Sequence, residues 1–160
     1  MVGVDDPALA GADDVDPAVA VWSAANPARA EGQHAGNLRA WARLSGARLN
    51  VIRRAEGIVA MALALPGRAD GGAGDLVPGL VHLTGVCVHP DRQRHGLGRE
   101  VLDAALARAR ADGFVQAGLW VDASNSSALR FFEAVGFTPS GDTDADEYGQ
   151  PLTHLVTDLQ

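Results

Sequence analysis

Apolar positions change their period several times along the chain, and each change marks an element. From Asp16 to Leu44 they recur at helical spacing, with Val19, Trp22 and Ala25 on one face and Leu38, Trp41, Ala42 and Leu44 on another. Pro17 suits a first helical turn, and Pro27 with Gly32 divides the segment into two predicted helices. Leu49–Ala55 and Ile58–Leu65 read as strands joined by a tight turn at Glu56-Gly57. The composition of Pro66–Gly79 predicts a flexible loop. Leu80–Val88 is a further strand, ended by His89-Pro90 because proline has no N–H for a ladder. Leu97, Val101, Leu102, Ala105 and Ala109 lie on one helical face, and Gly113 stops that helix. Ala117–Asp122 reads as a strand, Asn125–Val135 as a short helix before Gly136, and Leu152–Leu159 as the last strand, after an Asp-rich loop. This order predicts one α/β domain with a mixed sheet over residues 15–160. Residues 1–14 have no clear period and read as a poorly ordered lead-in.

Composition narrows the class. A chain of 160 residues, 47% hydrophobic and 21% charged, is long enough to bury one real core. The net charge is -7 and all 13 basic residues are arginines without a basic tract, so nucleic-acid and membrane partners are not expected and a cationic partner is favoured. Cys87 is the only cysteine and the histidines are scattered, so neither an intrachain disulfide nor a metal site is expected. Asp5 and Asp6, with no basic side chain before Arg29, are unlike a secretory signal. The longest apolar run, Ile58–Leu65, is far short of the roughly 20 residues of a membrane span. The expectation is a soluble, cytoplasmic protein.

Between the strand ending at Val88 and the next helix lies Gln93–Arg99, QRHGLGR. Glycines there let an anion approach main-chain N–H groups, and a helix N-terminus adds more. A dinucleotide fingerprint would need glycine where Val101 stands, and a phosphate-binding P-loop needs a lysine the chain lacks. The segment instead resembles the acetyl-CoA motif of the GNAT superfamily of N-acetyltransferases, Q/R-x-x-G-x-G/A, with Gln93, Gly96 and Gly98 in register. LWVDASNSSALRFFEAVGF is similar to the second half of that family's core: Val121, Asn125, Ala128, Phe131, Gly136 and Phe137 fall on its pattern. The resemblance covers about residues 49–138, and the family's usual first strand is not evident.

The resemblance implies a single GNAT-like α/β domain whose mixed, centrally splayed sheet is flanked by helices. It implies transfer of an acetyl group from acetyl-CoA, as co-substrate, to a primary amine by direct attack in a ternary complex, without a metal. By position, the backbone of Val86, Cys87 and Val88 would meet the pantetheine arm. Gln93, Arg94, His95, Gly96, Leu97, Gly98 and Arg99 would hold the pyrophosphate. Asn125 would bond the cofactor near the pantetheine, with a helix cap as its alternative role. Position 132 should hold the tyrosine that protonates the departing thiolate; it holds Phe132, which has no proton to give. Tyr148, the only tyrosine, or Ser124 and Ser126 are the substitutes the sequence offers.

His82 resembles in position a base used elsewhere in the superfamily, glutamate in histone acetyltransferases and histidine in arylalkylamine acetyltransferases. Strand alternation puts His82, Thr84 and Val86 on one face up to any bulge, and a strand histidine satisfied by its surroundings is the structural alternative. Trp120 and Asp122 share a face of the neighbouring strand, whereas His89 and His95 read as exposed. Acetylation of Cys87 would need a lowered pKa. Phe132 also motivates a rival class, a non-catalytic acyl-CoA-binding or sensing module; use of another acyl donor is a further alternative. Asp142, Asp144, Asp146 and Glu147 gather four carboxylates before the last strand, either as a solvated loop or as an attractor for a cationic small-molecule or peptide amine. Self-association as a homodimer is left open.

Overall fold

A computed structural model describes residues 7–27, 33–69, 73–146 and 148–159. Among these residues, seven strands form one mixed sheet in the order β1-β2-β3-β4-β5-β7-β6, with four α-helices. The chain divides into two compact units, Met1–Leu65 with Leu83–Arg108, and Pro66–His82 with Ala109–Gln160.

In the first unit, β1 (Ala8–Leu9) pairs antiparallel with β2 (Arg48–Arg54), Ala8 against Val51. This strand and the turn Ala12–Asp14 lie inside the stretch read as a lead-in, whose residues 1–6 are outside the described ones. Asp14 ties the turn to the sheet: its carboxylate accepts from Arg53 at 2.6 Å and from the Gly11 N–H at 2.9 Å. Helices α1 (Val15–Ala25) and α2 (Gln33–Ala42) follow the expected periodicity as far as Ala42, whereas Leu44 lies past the end of α2 and is exposed. Trp22, His34 and Trp41 stack in series between them, and Arg39 reaches Asp16 at 3.0 Å. Val15, Val19, Trp22, Leu38, Val51, Met61 and Leu63 form the core under these helices. The β2–β3 hairpin forms as expected but turns at Ala55-Glu56, one residue before the predicted Glu56-Gly57, and β3 runs from Gly57 to Arg68.

The predicted flexible loop Pro66–Gly79 is strand at both ends. β3 continues through Pro66 and Gly67, and β4 starts at Leu76 rather than Leu80 and runs to Val88. Gly67 is needed because a Cβ there would lie 2.4 Å from the Leu80 side chain. The turn residues in this stretch therefore serve close strand contact instead of marking a break. Beyond β4, the short turn Pro90–Arg92 leads to α3 (Leu97–Ala111).

In the second unit, β5 (Gln116–Asp122) pairs antiparallel with β7 (Pro151–Asp158), and β7 with β6 (Thr138–Ala145). Helix α4 (Ser126–Val135) ends on Gly136 at φ 118°, a left-handed cap that favours glycine. Strand β6 stands where an Asp-rich loop was expected; it is exposed throughout and forms the sheet edge. Val81, Leu119, Val121, Phe132, Phe137 and Leu155 are buried here.

Candidate active site

In the first unit the geometry gathers at the end of β4 and the start of α3. Through Leu83 the strand alternates between buried and half-buried side chains. Gly85 then takes φ 65°, where a Cβ would press on Met61 and Leu38, at 2.9 and 3.2 Å. Alternation stops there and Val86, Cys87 and Val88 are all half-buried, so the shared face expected for His82, Thr84 and Val86 is broken before Val86. Burial pushes the Cys87 thiol up to about 12. His89 sits at the end of the strand, its N–H donating to Val59 and its Nδ1 accepting from the Asp91 N–H at 3.2 Å, which makes it a cap for the short turn. The Gln93 amide donates back to the Val88 carbonyl at 3.3 Å.

Arg94 takes φ 67° and Gly96 φ 78°, two left-handed residues flanking His95. A left-handed arginine is uncommon and strained, and such strain collects at binding loops. Next to Gly96 the space a Cβ would fill is open. The first intrahelical bond of α3 runs from the Glu100 N–H to Gly96, so the N–H groups of Leu97, Gly98 and Arg99 precede the ladder. The loop therefore presents a series of N–H groups at the positive end of a 15-residue helix, a geometry that takes an anion. Arg99 is held by Asp103 at 3.0 and 3.1 Å, while Arg94 and His95 are exposed.

In the second unit, His82 is half-buried on β4, and its pKa is lowered to about 4, first by burial and then by the charge of His154. His154, on β7, escaped the sequence reading, although it interrupts the alternating apolar set Leu152 and Val156. It pairs in register with Trp120, the rings 4.7 Å apart, and its Nδ1 meets the Ser140 hydroxyl at 2.8 Å. Asp122 turns away to the next loop, accepting from the Ser124 N–H at 2.9 Å and from its hydroxyl at 2.7 Å. That hydroxyl is thereby committed. Asn125 caps α4, its Oδ1 accepting from the Ala128 N–H at 3.1 Å. Phe132 is buried against Phe131 and Phe137. Tyr148 is 51% exposed in the β6–β7 turn, past the Ala145–Pro151 pair. That pair lies three residues from His154 along β7, so Tyr148 is about 10 Å or more from the His154 rung.

Among the described residues, no group of three or more His, Cys, Asp and Glu side chains could hold a metal ion, and no helix is long and apolar enough to cross a membrane.

Residues 17–137 match the acetyltransferase (GNAT) family pattern, and the chain belongs to that family. It is 45% identical over 69 residues to the mycothiol acetyltransferase of Streptosporangium roseum, a stretch that is 43% of this chain and 20% of that one. The chain thus spans about a fifth of the length of that curated relative. In fold it is similar to the ribosomal-protein-S18-alanine N-acetyltransferase from Escherichia coli, with a TM-score of 0.75, 19% identity, and coverage of 96% of this chain and 93% of that one. It is also similar to an aminoglycoside 6'-N-acetyltransferase complexed with coenzyme A, with a TM-score of 0.74, 10% identity, and coverage of 100% and 98%.

Proposed function

We propose that the protein is an N-acetyltransferase moving an acetyl group from acetyl-CoA to a primary amine by direct attack. The observation that carries this reading is the loop before α3, where left-handed Arg94 and Gly96 lead into unladdered N–H groups at a helix start. That geometry fits the CoA pyrophosphate, and the relatives named above are acetyltransferases. Gln93 to Arg99 hold the diphosphate, and the half-buried backbone of Val86, Cys87 and Val88 receives the pantetheine arm.

Acetyl-CoA supplies an activated thioester: the amine nitrogen bonds to the carbonyl carbon as the C–S bond breaks. The proton shed by the nitrogen balances the one taken up by the thiolate. A thiol raised to about 12 is not a nucleophile at neutral pH, so Cys87 does not support a covalent detour. His82, neutral over the physiological range because burial lowers it, takes the proton from the attacking amine. Asn125, its amide oxygen committed to the cap, has its amide N–H groups to give the cofactor. Phe132 adds only apolar packing, so the thiolate draws its proton from water; Tyr148 stays a secondary candidate.

The test is CoA binding by calorimetry, followed by thiol release across a panel of polyamines, amino sugars and basic peptides. Release with at least one amine is expected. CoA binding with no turnover on any of them would instead establish an acyl-CoA-sensing module, and no CoA binding would remove both readings.

A further inference from the structure

Strand β6 carries a wide irregularity directly against His154. Pro139 faces Leu155 and Thr143 faces Thr153, so Ser140, Gly141 and Asp142 all stand opposite that one histidine. Gly141 takes φ 97° within this bulge, and the distortion brings the Ser140 hydroxyl to His154 Nδ1. Bulges at sheet edges re-aim side chains, and this one clamps an imidazole that would otherwise be free to turn.

The other ring nitrogen is placed as deliberately. His154 Nε2 lies where a Cβ on Gly118 would be 2.9 Å away, so the ring leans over β5 at the residue without a side chain. Strand β5 separates β7 from β4 in the sheet. The Val115 N–H donates to the Gly79 carbonyl at 2.8 Å, and β4 and β5, joined through a helical crossover, run parallel. In a parallel ladder that bond sets Val115 beside Leu80, which brings His82 within a residue of Gly118. Half-buried His82 of β4 and Trp120 of β5 lie on the face opposite the buried Val81, Leu83, Leu119 and Val121. His154 therefore reaches toward His82 through the gap that Gly118 leaves, with Trp120 packed against its ring.

We propose that His82 and His154 work as one base, an imidazole pair spanning Gly118 that carries a single proton, with His154 as the positioning partner held by Ser140. This rests on the reading of His82 as the group that receives the amine proton. The titratable groups acting here are His154 from β7 on His82, and Asp142 from β6 on His154. Strand β5 places Gly118 and Trp120 here, which do not titrate, and Asp122 farther along the same face, its carboxylate turned to the Ser124 N–H and hydroxyl. Burial lowers both imidazoles, and a charge on one opposes a charge on the other, so the pair is neutral at neutral pH and accepts one proton. Asp142 favours the charged form of His154, so the proton taken by His82 is best stored on the His154 side, next to the exposed Ser140, and passes from there to water.

The imidazole titrations of the free protein, followed by NMR, test the pair without substrate. Replacing His154 with Gln should move the His82 midpoint to higher pH, and His82→Gln should move that of His154 the same way, because coupling is reciprocal. Gly118→Ala should displace the His154 ring and weaken the coupling. Ser140→Ala, on an exposed strand, keeps the test open should a core variant fail to fold. It should lower kcat about tenfold, a part of the usual general-base contribution, and shift the acidic limb of the rate profile while leaving the acceptor KM unchanged. Midpoints indifferent to the partner's removal, or a rate profile unchanged in Ser140→Ala, would overturn the pair. Coupled titrations in a protein that acetylates no amine would overturn its role as a base and the enzymatic reading together. Turnover with uncoupled titrations would overturn the pair alone.

Discussion

Gly96 and Phe132 are single positions at which one atom decides the outcome. Gly96 takes φ 78° with open space beside it, so a side chain there is strained by its backbone and not by its neighbours. Gly96→Ala should cost about 1 kcal/mol of stability and weaken CoA modestly. Gly96→Glu adds a negative charge where phosphates are to bind, and should weaken CoA more than about tenfold beyond the Ala variant, some 1.4 kcal/mol. Calorimetry finding equal affinities for the two would show that no phosphate sits at this loop. Phe132 is 8% exposed, and its ring packs on Phe131 and Phe137. Phe132→Tyr should raise the turnover rate, provided that the new hydroxyl reaches the sulfur. A fall in Tm at an unchanged rate would show instead that the hydroxyl is buried without a partner, at a cost of about 1–3 kcal/mol.

The elements most legible in the sequence were those whose own residues favour them. The hairpin of β2 and β3, α3 with its face of Leu97, Val101, Leu102 and Ala105, and the Asn125 cap of α4 all follow from local rules. Strand β6 was not legible, because Pro139, Gly141, Asp142 and Asp144 disfavour strands; pairing with β7 imposes it. The same holds for the ends of β3 and β4, where Pro66, Gly67, Pro78 and Gly79 read as turns. The candidate site divides in the same way. QRHGLGR is a local motif, whereas His154 meets Ser140 and Gly118 only through register, which no local pattern encodes. Asn50, on β2, is a further case: fully buried, it donates to the Ala62 carbonyl and accepts from Arg108 of α3 at 3.1 Å. Asn50→Ala should leave the guanidinium without that acceptor and cost about 1–3 kcal/mol, read as a lower urea midpoint at an unchanged m-value. An unaltered midpoint would mean that water replaces the amide.

At the scale of the whole molecule, a net charge of -7 biases encounter toward cations. The exposed edge strand β6 concentrates that bias with Asp142 and Asp144. Asp146 serves a different end, since its Oδ1 accepts from the Tyr148 and Gln150 N–H groups and shapes the turn; Glu147 lies outside the described residues. Replacing Asp146 would therefore mix steering with turn stability, and Asp144 alone is the cleaner probe. If the acceptor is cationic, Asp144→Lys should raise its KM several-fold while leaving that of acetyl-CoA unchanged. Raising ionic strength from about 0.01 to 0.15 M contracts the Debye length from about 30 to 8 Å, and should shrink the difference between variant and parent. A neutral amine analogue should show neither effect. An acceptor KM that ignores both the charge reversal and the salt would make β6 a solvated edge whose lysine-free, acidic surface serves only to keep other strands from pairing with it.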